Sequence, residues 1–546
     1  MKNIYNFIRL LTVIVLCSSL YVSCKKAEPN ALTADRLFRP IVTTANYSGT
    51  TIDLTWARYT GAKSYQLEIS VDSFKTILQS VRTDTTRYTF TNLNYDTKYQ
   101  LHVRSIGAVI LSATDDTIRS LYYTLPDVQT LDYPTQLISP TSSDVVDNSI
   151  RVNWTVTSTS YTRIDVLQGT TLVTSVNLTT ADNTAGQKII SGLTPGTTYI
   201  VKIYNGTSYM GKKTFTTAAA QVFTGDVVDL RGFTDAKALN LLTQAFVDSL
   251  STAHPTGFNL ILSGGTTYGI NSAISIGVSM NIVTGLSFKG KSVMAIDGNF
   301  VVPAKTVDAI RFEKIFFTEG LTKLRTTSNY GGTYLFNFNV SGAVLNKLTL
   351  ENCDIKYKRG VIRLQTTATI SAITLNKCLV DSVNDYGVIN NGNAASYIGD
   401  IVVTNSSFSH CAKLFVGGAT KGINSLDMEF CTTYFTPTAT GNYLFDYNTN
   451  TVPGGIIIKS SLFGAGAAAT SNGMRSSCTN INITNCYKAS DLTWTLNTAL
   501  TAPNAPINDF INMTKTTAQI FTDPIHGNLQ VTDPLLDNKV GDPRWW

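Results

Sequence analysis

A short pattern of apolar and small residues recurs through the second half of this 546-residue chain and constrains its fold more than any other feature. Two apolar residues stand two positions apart and a small residue follows three positions later, as in Leu348, Leu350 and Cys353. The small residue returns every 25 to 30 residues, as Cys353, Cys378, Ser406, Cys431, Ser461 and Cys486. Ile315 holds the equivalent position upstream. Repeats of this length, built from short apolar strands, are typical of β-solenoids.

We therefore predict a right-handed parallel β-helix over residues 225–490, in which each coil contributes a strand, a two-residue bend and another strand. The bend would explain why the spacing changes from two residues to three. Because neighbouring strands of a sheet lie about 4.8 Å apart, equivalent residues of successive coils would form inward-facing columns. We call the column of small residues the Cys/Ser ladder.

The ladder cysteines are predicted to serve packing, because a nucleophile or a metal ligand would not alternate with Ser along a stack. A buried free Cys behaves as a small hydrophobic residue. The alternative is a structural disulfide, for which Cys353 and Cys378 on adjacent coils would be close enough in an exported protein. The sequence contains no Cys-x-x-Cys spacing, which argues against a metal site.

Two segments flank the repeats, and both are predicted to cap the solenoid. The stretch "TDAKALNLLTQAFVDSL" predicts one N-terminal capping helix, with Thr234 or Asp235 as its N-cap. Its apolar residues recur at helical spacing, at Leu239, Leu242, Phe246 and Leu250. Residues 491–546 lose the repeat and are predicted to form a C-terminal cap, with Trp545 and Trp546 packed on the last coil.

Residues 39–126 and 131–218 each contain short runs of alternating apolar residues, which are typical of β-sandwiches. Each unit has an early Trp, followed later by Tyr99 in the first unit and by Tyr199 in the second. The second unit also contains the segment "LTPGTTY", which ends at Tyr199. Both units resemble fibronectin type III modules. The resemblance implies that the two Tyr hydroxyls make the tyrosine-corner hydrogen bond of that fold.

The N-terminus resembles a bacterial lipoprotein signal. An apolar run, "LLTVIVLCSSLYVSC", ends in a lipobox-like "YVSC" with Tyr21 where Leu is commoner. The resemblance implies that residues 1–23 are removed, that Cys24 carries lipid, and that residues 24–38 form a linker. The alternative is an ordinary secretory signal with a chance Cys. No other apolar run approaches the ~20 residues of a spanning helix, so the mature protein is predicted to be anchored rather than membrane-spanning.

The whole layout resembles uncharacterised lipoproteins of Bacteroidetes-type polysaccharide-utilisation loci. In these proteins, fibronectin type III modules precede a pectate-lyase-like β-helix, and the chain closes on a "GDPRW"-type end. The resemblance predicts an all-β protein anchored in the outer membrane at the cell surface. It implies outer-membrane glycan-uptake proteins as partners. Lys25 and Lys26 stand where surface-exported lipoproteins often have acidic residues, so a periplasmic orientation stays open.

Composition argues against nucleic acid as a partner, since charged residues make up 15% of the chain, the formal charge is +6 and no long Lys/Arg block occurs. None of the four His residues stands in a Gly-His-Gly segment of the kind polygalacturonases use. Acidic residues are too sparse to suggest the stacked Ca²⁺ ligands of a pectate lyase. We therefore expect no metal or cofactor, with Ca²⁺ only under a lyase hypothesis.

One column of loops still suggests a binding site. The segments that follow the Cys/Ser ladder leave equivalent corners of the coils, so they should lie side by side. They offer aromatic rings that stack on sugars and cations that pair with uronate or sulfate groups. The candidates are Tyr357, Lys358, Arg359, Asp385, Tyr386, His410, Lys413 and Tyr434. The alternative is an ordinary solvated face.

Three functions stay open at this stage. The lipid anchor, the spacer modules and the missing catalytic motifs favour a non-catalytic protein that binds or displays polysaccharide, including acidic polysaccharide. A polysaccharide lyase with a divergent site would need a base and an acid within reach of each other in the loop column. A structural or adhesive surface protein would have no exposed aromatic groove.

Overall fold

A computed structural model describes residues 37–109, 117–233, 235–418, 421–468, 470–495, 509–536 and 539–546. It has about 48% strand and 8% helix, which confirms the all-β prediction. The chain divides into two compact units after Thr217. Within the described ranges, no helix is long and apolar enough to cross a membrane. The predicted signal peptide, its lipid-carrying Cys24 and Thr234 lie outside the described residues.

Unit one contains two β-sandwich modules, each with its own hydrophobic core. The strands of the first module are β1 (Val42–Tyr47), β2 (Ile52–Trp56), β3 (Ser64–Ser70), β4 (Gln79–Thr83), β5 (Arg87–Phe90), β6 (Lys98–Val109), β7 (Thr117–Arg119), β8 (Tyr123–Thr124) and β9 (Val128–Gln129). One sheet has the order β1-β2-β5, and the other is built around β4-β3-β6. The alternating apolar residues of β2 and β3 face the core between the sheets.

The second module repeats this arrangement. Its elements are β10 (Ser149–Asn153), β11 (Arg163–Gln168), β12 (Thr171–Asn177), α1 (Thr180–Ala185), β13 (Gln187–Ser191), β14 (Thr198–Asn205) and β15 (Ser208–Thr216). Sheets β10-β13 and β12-β11-β14-β15 enclose Trp154 and Tyr199. The Tyr199 hydroxyl accepts a hydrogen bond from the Thr194 amide at 2.9 Å, and the Tyr99 hydroxyl accepts one from the Asn94 amide at 2.8 Å. The predicted tyrosine corners are therefore confirmed.

Unit two is a parallel β-solenoid of about nine turns. Its strands are β16 (Asp226–Asp229), β17 (Phe258–Leu262), β18 (Thr267–Ile270), β19 (Ile274–Ser275), β20 (Met280–Thr284), β21 (Ser292–Ile296), β22 (Phe300–Val301), β23 (Thr306–Glu313), β24 (Ile315–Glu319), β25 (Tyr334–Phe338), β26 (Ala343–Glu351), β27 (Asp354–Leu364), β28 (Ala368–Asn376), β29 (Leu379–Asn391), β30 (Tyr397–Thr404), β31 (Ser407–Cys411), β32 (Phe415–Val416), β33 (Ile423–Glu429), β34 (Thr432–Tyr434), β35 (Tyr443–Asp446), β36 (Gly455–Lys459), β37 (Leu462–Phe463), β38 (Thr470–Arg475), β39 (Ile481–Thr484), β40 (Tyr487–Lys488), β41 (Thr493–Thr495), β42 (Ile511–Asn512), β43 (Phe521–Asp523) and β44 (Asn528–Val531). One sheet stacks ten of them, in the order β16-β17-β20-β23-β26-β28-β30-β33-β36-β39.

The strand register follows the repeat in the sequence. Leu348 of β26 pairs with Ile373 of β28, and Leu350 pairs with Leu375. The pairing continues in the same register through β30, β33, β36 and β39. Every residue of the Cys/Ser ladder is fully buried. A slip of one residue would turn each apolar set outward, so the apolar pattern itself fixes this register.

The bend before each ladder residue has a left-handed backbone. The residue there has φ between +46° and +57° in seven coils, at Lys314, Asn352, Lys377, Asn405, Phe430, Ser460 and Asn485. Asn tolerates this conformation better than most residues with a side chain, and it occupies three of the seven bends. One left-handed residue reverses the alternation of inward-facing and outward-facing side chains along the strand. The spacing between inward-facing residues therefore changes from two to three at the bend.

The ladder side chains also make hydrogen bonds at the bend. The Ser406 hydroxyl accepts from the Cys378 amide of the preceding coil at 3.0 Å and donates to the Thr404 carbonyl at 2.7 Å. The Cys378 thiol lies 3.3 Å from the Leu350 carbonyl oxygen. Burial raises the pKa of this thiol to about 12. The six cysteines that the structure describes are all free, so it contains no disulfide among them.

Replacing Cys378 tests whether the ladder is structural. Cys378→Ser should cost no more than about 1–2 kcal/mol, because Ser already makes the equivalent bonds at two rungs. Cys378→Leu should cost a further ~1–3 kcal/mol by overpacking the bend. Urea unfolding of the two variants measures the difference, and equal stabilities would contradict an inward-facing ladder.

The predicted single N-terminal helix is wrong. The segment forms two short helices, α2 (Asp235–Ala238) and α3 (Gln244–Ala253). Thr243 supplies the N-cap of α3, because its hydroxyl accepts from the Phe246 amide at 3.2 Å. Because Thr243 starts a new helix at this point, the first helix ends before it instead of continuing through the segment. Both helices contribute apolar residues to the first part of the solenoid core, but a helical cap is not confirmed.

The C-terminal residues pack along the solenoid and reach back well before its last coil. A short helix, α4 (Thr517–Ile520), and strands β43 and β44 share a small hydrophobic core with Leu462. The Trp545 indole nitrogen donates to the Ser407 hydroxyl at 2.7 Å, and the Trp546 ring meets Phe430 at 5.9 Å. The expected packing on the last coil is therefore wrong for both Trp residues.

Candidate functional site

The candidate residues lie on the second sheet of the solenoid, mostly on strands rather than on loops. A second left-handed bend recurs in four successive coils, at Tyr357, Ser382, His410 and Phe435. The register of β27, β29 and β31 aligns the first three of these bends. Tyr357 and His410 therefore occupy one column, two coils apart. We call these four residues the second-bend column.

Lys358 does not lie on the surface. Lys358 directly follows the second bend. It is aligned with Val383 and Cys411, which follow the same bend in the next two coils and are buried. Like them, Lys358 points into the core, and its side chain has no exposed area. Its ammonium group donates to the Thr318 carbonyl at 2.5 Å. Burial lowers the pKa of Lys358 to about 7, against the opposing effect of nearby carboxylates. Lys358 is therefore unavailable for contact with a glycan on this surface.

Arg359 is exposed at its tip, but its charge is already paired. Its guanidinium donates two hydrogen bonds to the Asp385 carboxylate, each at 2.9 Å, and lies 4.6 Å from the Tyr386 ring centroid. This bidentate contact lowers the pKa of Asp385. The structure thus brings three of the predicted residues together, as one neutral cluster.

Arg363 is the residue that the sequence analysis missed. Its guanidinium lies 4.1 Å from the Tyr386 ring centroid and 5.3 Å from that of Tyr334, and it donates to both hydroxyls, at 3.1 and 3.2 Å. Among the described residues, no carboxylate lies within 4.0 Å of Arg363. We call Tyr334, Arg359, Arg363, Asp385 and Tyr386 the arginine–tyrosine platform. The available signal was the position of Arg363 between the apolar residues Ile362 and Leu364 of one strand, which predicts that its side chain faces outward.

Lys413 lies next to the platform. An added Cβ on Gly387 would come 3.0 Å from the Cβ of Lys413, and one on Gly360 would come 2.8 Å from the Cβ of Tyr386. The two glycines therefore allow the side chains of adjacent coils to approach closely. Lys413 has no carboxylate partner within the described ranges, so it adds a second cation without an ion pair, next to Gly387.

His410 belongs to a separate polar cluster around Asp381. The Asp381 carboxylate lies 2.9 Å from His410 Nδ1, accepts from the Ser409 hydroxyl at 2.8 Å, and lies 3.5 Å from the Lys356 ammonium. Burial raises the pKa of Asp381, but the hydrogen bonds from His410 and Ser409 outweigh it, so the net shift is downward. The sequence analysis included His410 but not Asp381.

Aromatic rings flank this cluster. The His410 ring lies 5.7 Å from Tyr434 and 5.0 Å from Phe435. Tyr434 also packs against the hydrophobic core formed with the C-terminal residues. Tyr434 and His410 therefore come together as predicted, at the edge of the hydrophobic core that the C-terminal residues share with the solenoid.

An insertion between β24 and β25 lies beside both clusters. It accounts for the long 38-residue spacing between Ile315 and Cys353. Tyr330 of this insertion lies 5.8 Å from the Tyr357 ring, and the Asn384 amide donates to the Asn329 side chain at 2.7 Å. Within the described residues, no group of three or more His, Cys, Asp or Glu could hold a metal ion.

Comparison with known proteins yields fibronectin type III-like structural neighbours. A two-domain fibronectin type III segment of chicken tenascin is 19% identical, covers 33% of this chain and 100% of its own, and has a TM-score of 0.18. The FN1–FN3 domains of chicken CNTN1 are 17% identical, cover 33% of this chain and 67% of their own, and have a TM-score of 0.14. No protein-family model and no curated protein matches the chain. Scores this low carry no argument about function.

Proposed function

We propose that the solenoid binds an acidic polysaccharide on the arginine–tyrosine platform. The observation that carries the proposal is the guanidinium of Arg363, which contacts two Tyr rings and has no carboxylate within 4.0 Å among the described residues. The terminal nitrogens of Arg363 donate to the Tyr334 and Tyr386 hydroxyls and to the Gln365 side chain, which fixes the orientation of the guanidinium. Its remaining N–H groups can donate charge-assisted hydrogen bonds to a carboxylate or sulfate. Lys413 adds a second positive charge, and the faces of the Tyr rings offer surfaces on which sugar rings stack.

The proposal places this site in a lipid-anchored protein of the outer membrane that displays polysaccharide at the cell surface beside glycan-uptake proteins. The lipobox-like sequence before Cys24 and the two modules ahead of the solenoid support it. The pectate-lyase-like, right-handed form of the solenoid is part of the same proposal. Cys24→Ala should move the protein from the membrane fraction to the soluble fraction. A variant that stays with salt-washed membranes would contradict lipid attachment.

Retention on a panel of immobilised polysaccharides tests the binding function. We expect retention on polygalacturonate, alginate or a sulfated glycan, and weaker retention as salt rises, because exposed charges are screened over about 8 Å at physiological ionic strength. Retention on none of the acidic polysaccharides would contradict the proposal and favour a structural or adhesive role.

A second candidate function is a polysaccharide lyase, and the contact between His410 and Asp381 favours it. A carboxylate at His410 Nδ1 orients the ring and leaves Nε2 able to accept a proton. The Tyr434 ring, 5.7 Å from the His410 ring, would supply the acid. Incubation of the protein with the retained polysaccharide tests this function through the release of unsaturated product. Release by the wild type and its loss in His410→Gln would establish the lyase, and no release would leave binding alone.

A further inference from the structure

A cleft of about 620 Å³ lies within unit one, between the two fibronectin type III-like modules. The first module contributes the turn of Leu93–Thr97, and the second contributes Tyr133 and the hairpin between β14 and β15. This volume is typical of small-ligand sites in proteins. The cleft belongs to neither the platform nor the Asp381 cluster, since those lie on the solenoid.

The walls of the cleft are rich in Tyr. Tyr95 and Tyr133 meet edge to face at 5.0 Å, and Tyr204 and Tyr209 do so at 5.9 Å. All four rings are partly exposed. The ammonium group of Lys202 lies 5.6 Å from the Tyr209 ring centroid. Half-buried Tyr residues combine an apolar face with a polar tip, which suits a ligand that has both kinds of surface.

Contacts between the modules hold the cleft in shape. The Lys212 ammonium donates to the Asp96 carboxylate at 2.5 Å, and the Asp96 amide donates to the Leu131 carbonyl at 3.0 Å. The Tyr209 hydroxyl donates to Asp132 at 2.6 Å. These bonds connect the turn that precedes β6 to the start of the second module and its last hairpin. The cleft is therefore formed before a ligand arrives, which lowers the entropy lost on binding.

We propose that this cleft is a second carbohydrate site, one that takes a neutral pyranose ring. A pyranose has apolar C–H faces that can lie on the Tyr rings, and equatorial hydroxyls that can reach Asn94, Thr97 and Ser208 at the rim. The charged lining residues are Asp96 and Lys202, one of each sign, so the cleft has no net charge to select an anion. The proposal is independent of the acidic-glycan function of the solenoid.

The test uses the full-length protein in detergent and a panel of neutral oligosaccharides from β-glucan, mannan and xylan. Saturation-transfer NMR should detect binding of at least one of them. Tyr133→Ala and Lys202→Gln should each weaken that binding about tenfold or more, without changing retention on acidic polysaccharide. Arg363→Gln is the matched control on the solenoid and should leave neutral-sugar binding intact.

Two outcomes would overturn this proposal. The first is that no neutral oligosaccharide binds, and the second is that both cleft variants bind the oligosaccharide as tightly as the wild type does. Lys202→Gln guards against misfolding of the Tyr variant, because Lys202 is partly exposed and makes no ion pair among the described residues. Loss of retention on acidic polysaccharide in Arg363→Gln would support the proposed site on the solenoid and would not affect the proposal for the cleft.

Discussion

Deleting residues 541–546 is expected to destabilise unit two by roughly 4 kcal/mol or more, the largest effect we predict for any terminal change. The segment contributes several hydrogen bonds to the solenoid, and the two that Asp542 makes are buried. The Asp542 carboxylate accepts from the Ser407 hydroxyl at 2.7 Å, and the Asp542 amide donates to the Thr432 hydroxyl at 2.9 Å. Arg544 donates to the Lys377 carbonyl at 2.6 Å. The deletion would leave Ser407 and Thr432, both fully buried, without these partners.

Denaturant unfolding of the deletion variant measures this effect through the midpoint and the slope of the transition. Trp545→Phe is the matched control, because it keeps an aromatic ring and removes only the bond from the indole nitrogen to Ser407. Its cost should be about 1 kcal/mol. A deletion variant that unfolds at the wild-type midpoint would show that the C-terminal residues do not hold the coils together.

Lys358→Met is expected to stabilise the protein at pH 7, by an amount that disappears as the pH rises towards 10. The folded protein holds the proton of Lys358 only below about pH 7, whereas the unfolded chain holds it up to about pH 10.4. Between these values the unfolded state binds more protons, so the free energy of unfolding of the wild type rises with pH. Below pH 7 both states are protonated and the full burial penalty remains.

The full burial penalty has an upper limit of ~5 kcal/mol, from a pKa difference of about 3.4. Lys358→Met also loses the hydrogen bond to the Thr318 carbonyl, so the expected net gain is about 1–3 kcal/mol. The measurement is the free energy of unfolding of wild type and variant at several pH values from 6 to 10. Lys347→Met removes an exposed lysine and serves as the control. Parallel pH profiles for wild type and Lys358→Met would contradict a charged, buried Lys358.

The strand register of the solenoid was predictable from two features of the sequence. Apolar residues alternate with a period of two along each strand, and the strand pattern repeats about every 25 residues, so few other registers would bury the apolar residues. Leu348, Ile373 and Ile401 had to share a column once their strands were parallel. The burial of Lys358 was also encoded, since its register partner is Val383. The sequence analysis placed Lys358 outside because it treated the segment after the ladder as a loop, whereas a second bend continues the strands.

The remaining features depend on contacts that local sequence does not reveal. Trp545 meets Ser407 across 138 residues through a single polar contact, for which no periodic pattern exists. The pairing of Arg359 with Asp385 depends on a local irregularity in the pairing of β27 with β29 between Lys358 and Gly360. Of the two arginines of β27 in the platform, Arg359 therefore has a carboxylate partner, and Arg363 has none among the described residues.

Arg363 and Arg475 provide a matched pair for testing the platform. The register connects them in one outward column, through Asn390, Val416 and Asp446. Each guanidinium lies over a Tyr ring, at 4.1 Å for Arg363 and 4.7 Å for Arg475. Arg475 differs in one respect, since its guanidinium makes an ion pair with Asp446 at 2.6 Å. Removing either arginine changes the net charge equally, but of the two only Arg363 lacks a carboxylate partner among the described residues.

The most direct measurement is the affinity of wild type, Arg363→Gln and Arg475→Gln for the acidic polysaccharide that the wild type retains, by titration calorimetry at low salt. Arg363→Gln should weaken binding about 10- to 100-fold, which corresponds to charge-assisted hydrogen bonds of roughly 1.5–3 kcal/mol. Arg475→Gln should stay within about twofold of the wild type. Equal losses of affinity in the two variants would show that binding depends only on the net charge of the protein. An unchanged affinity of Arg363→Gln would contradict the platform as the binding site.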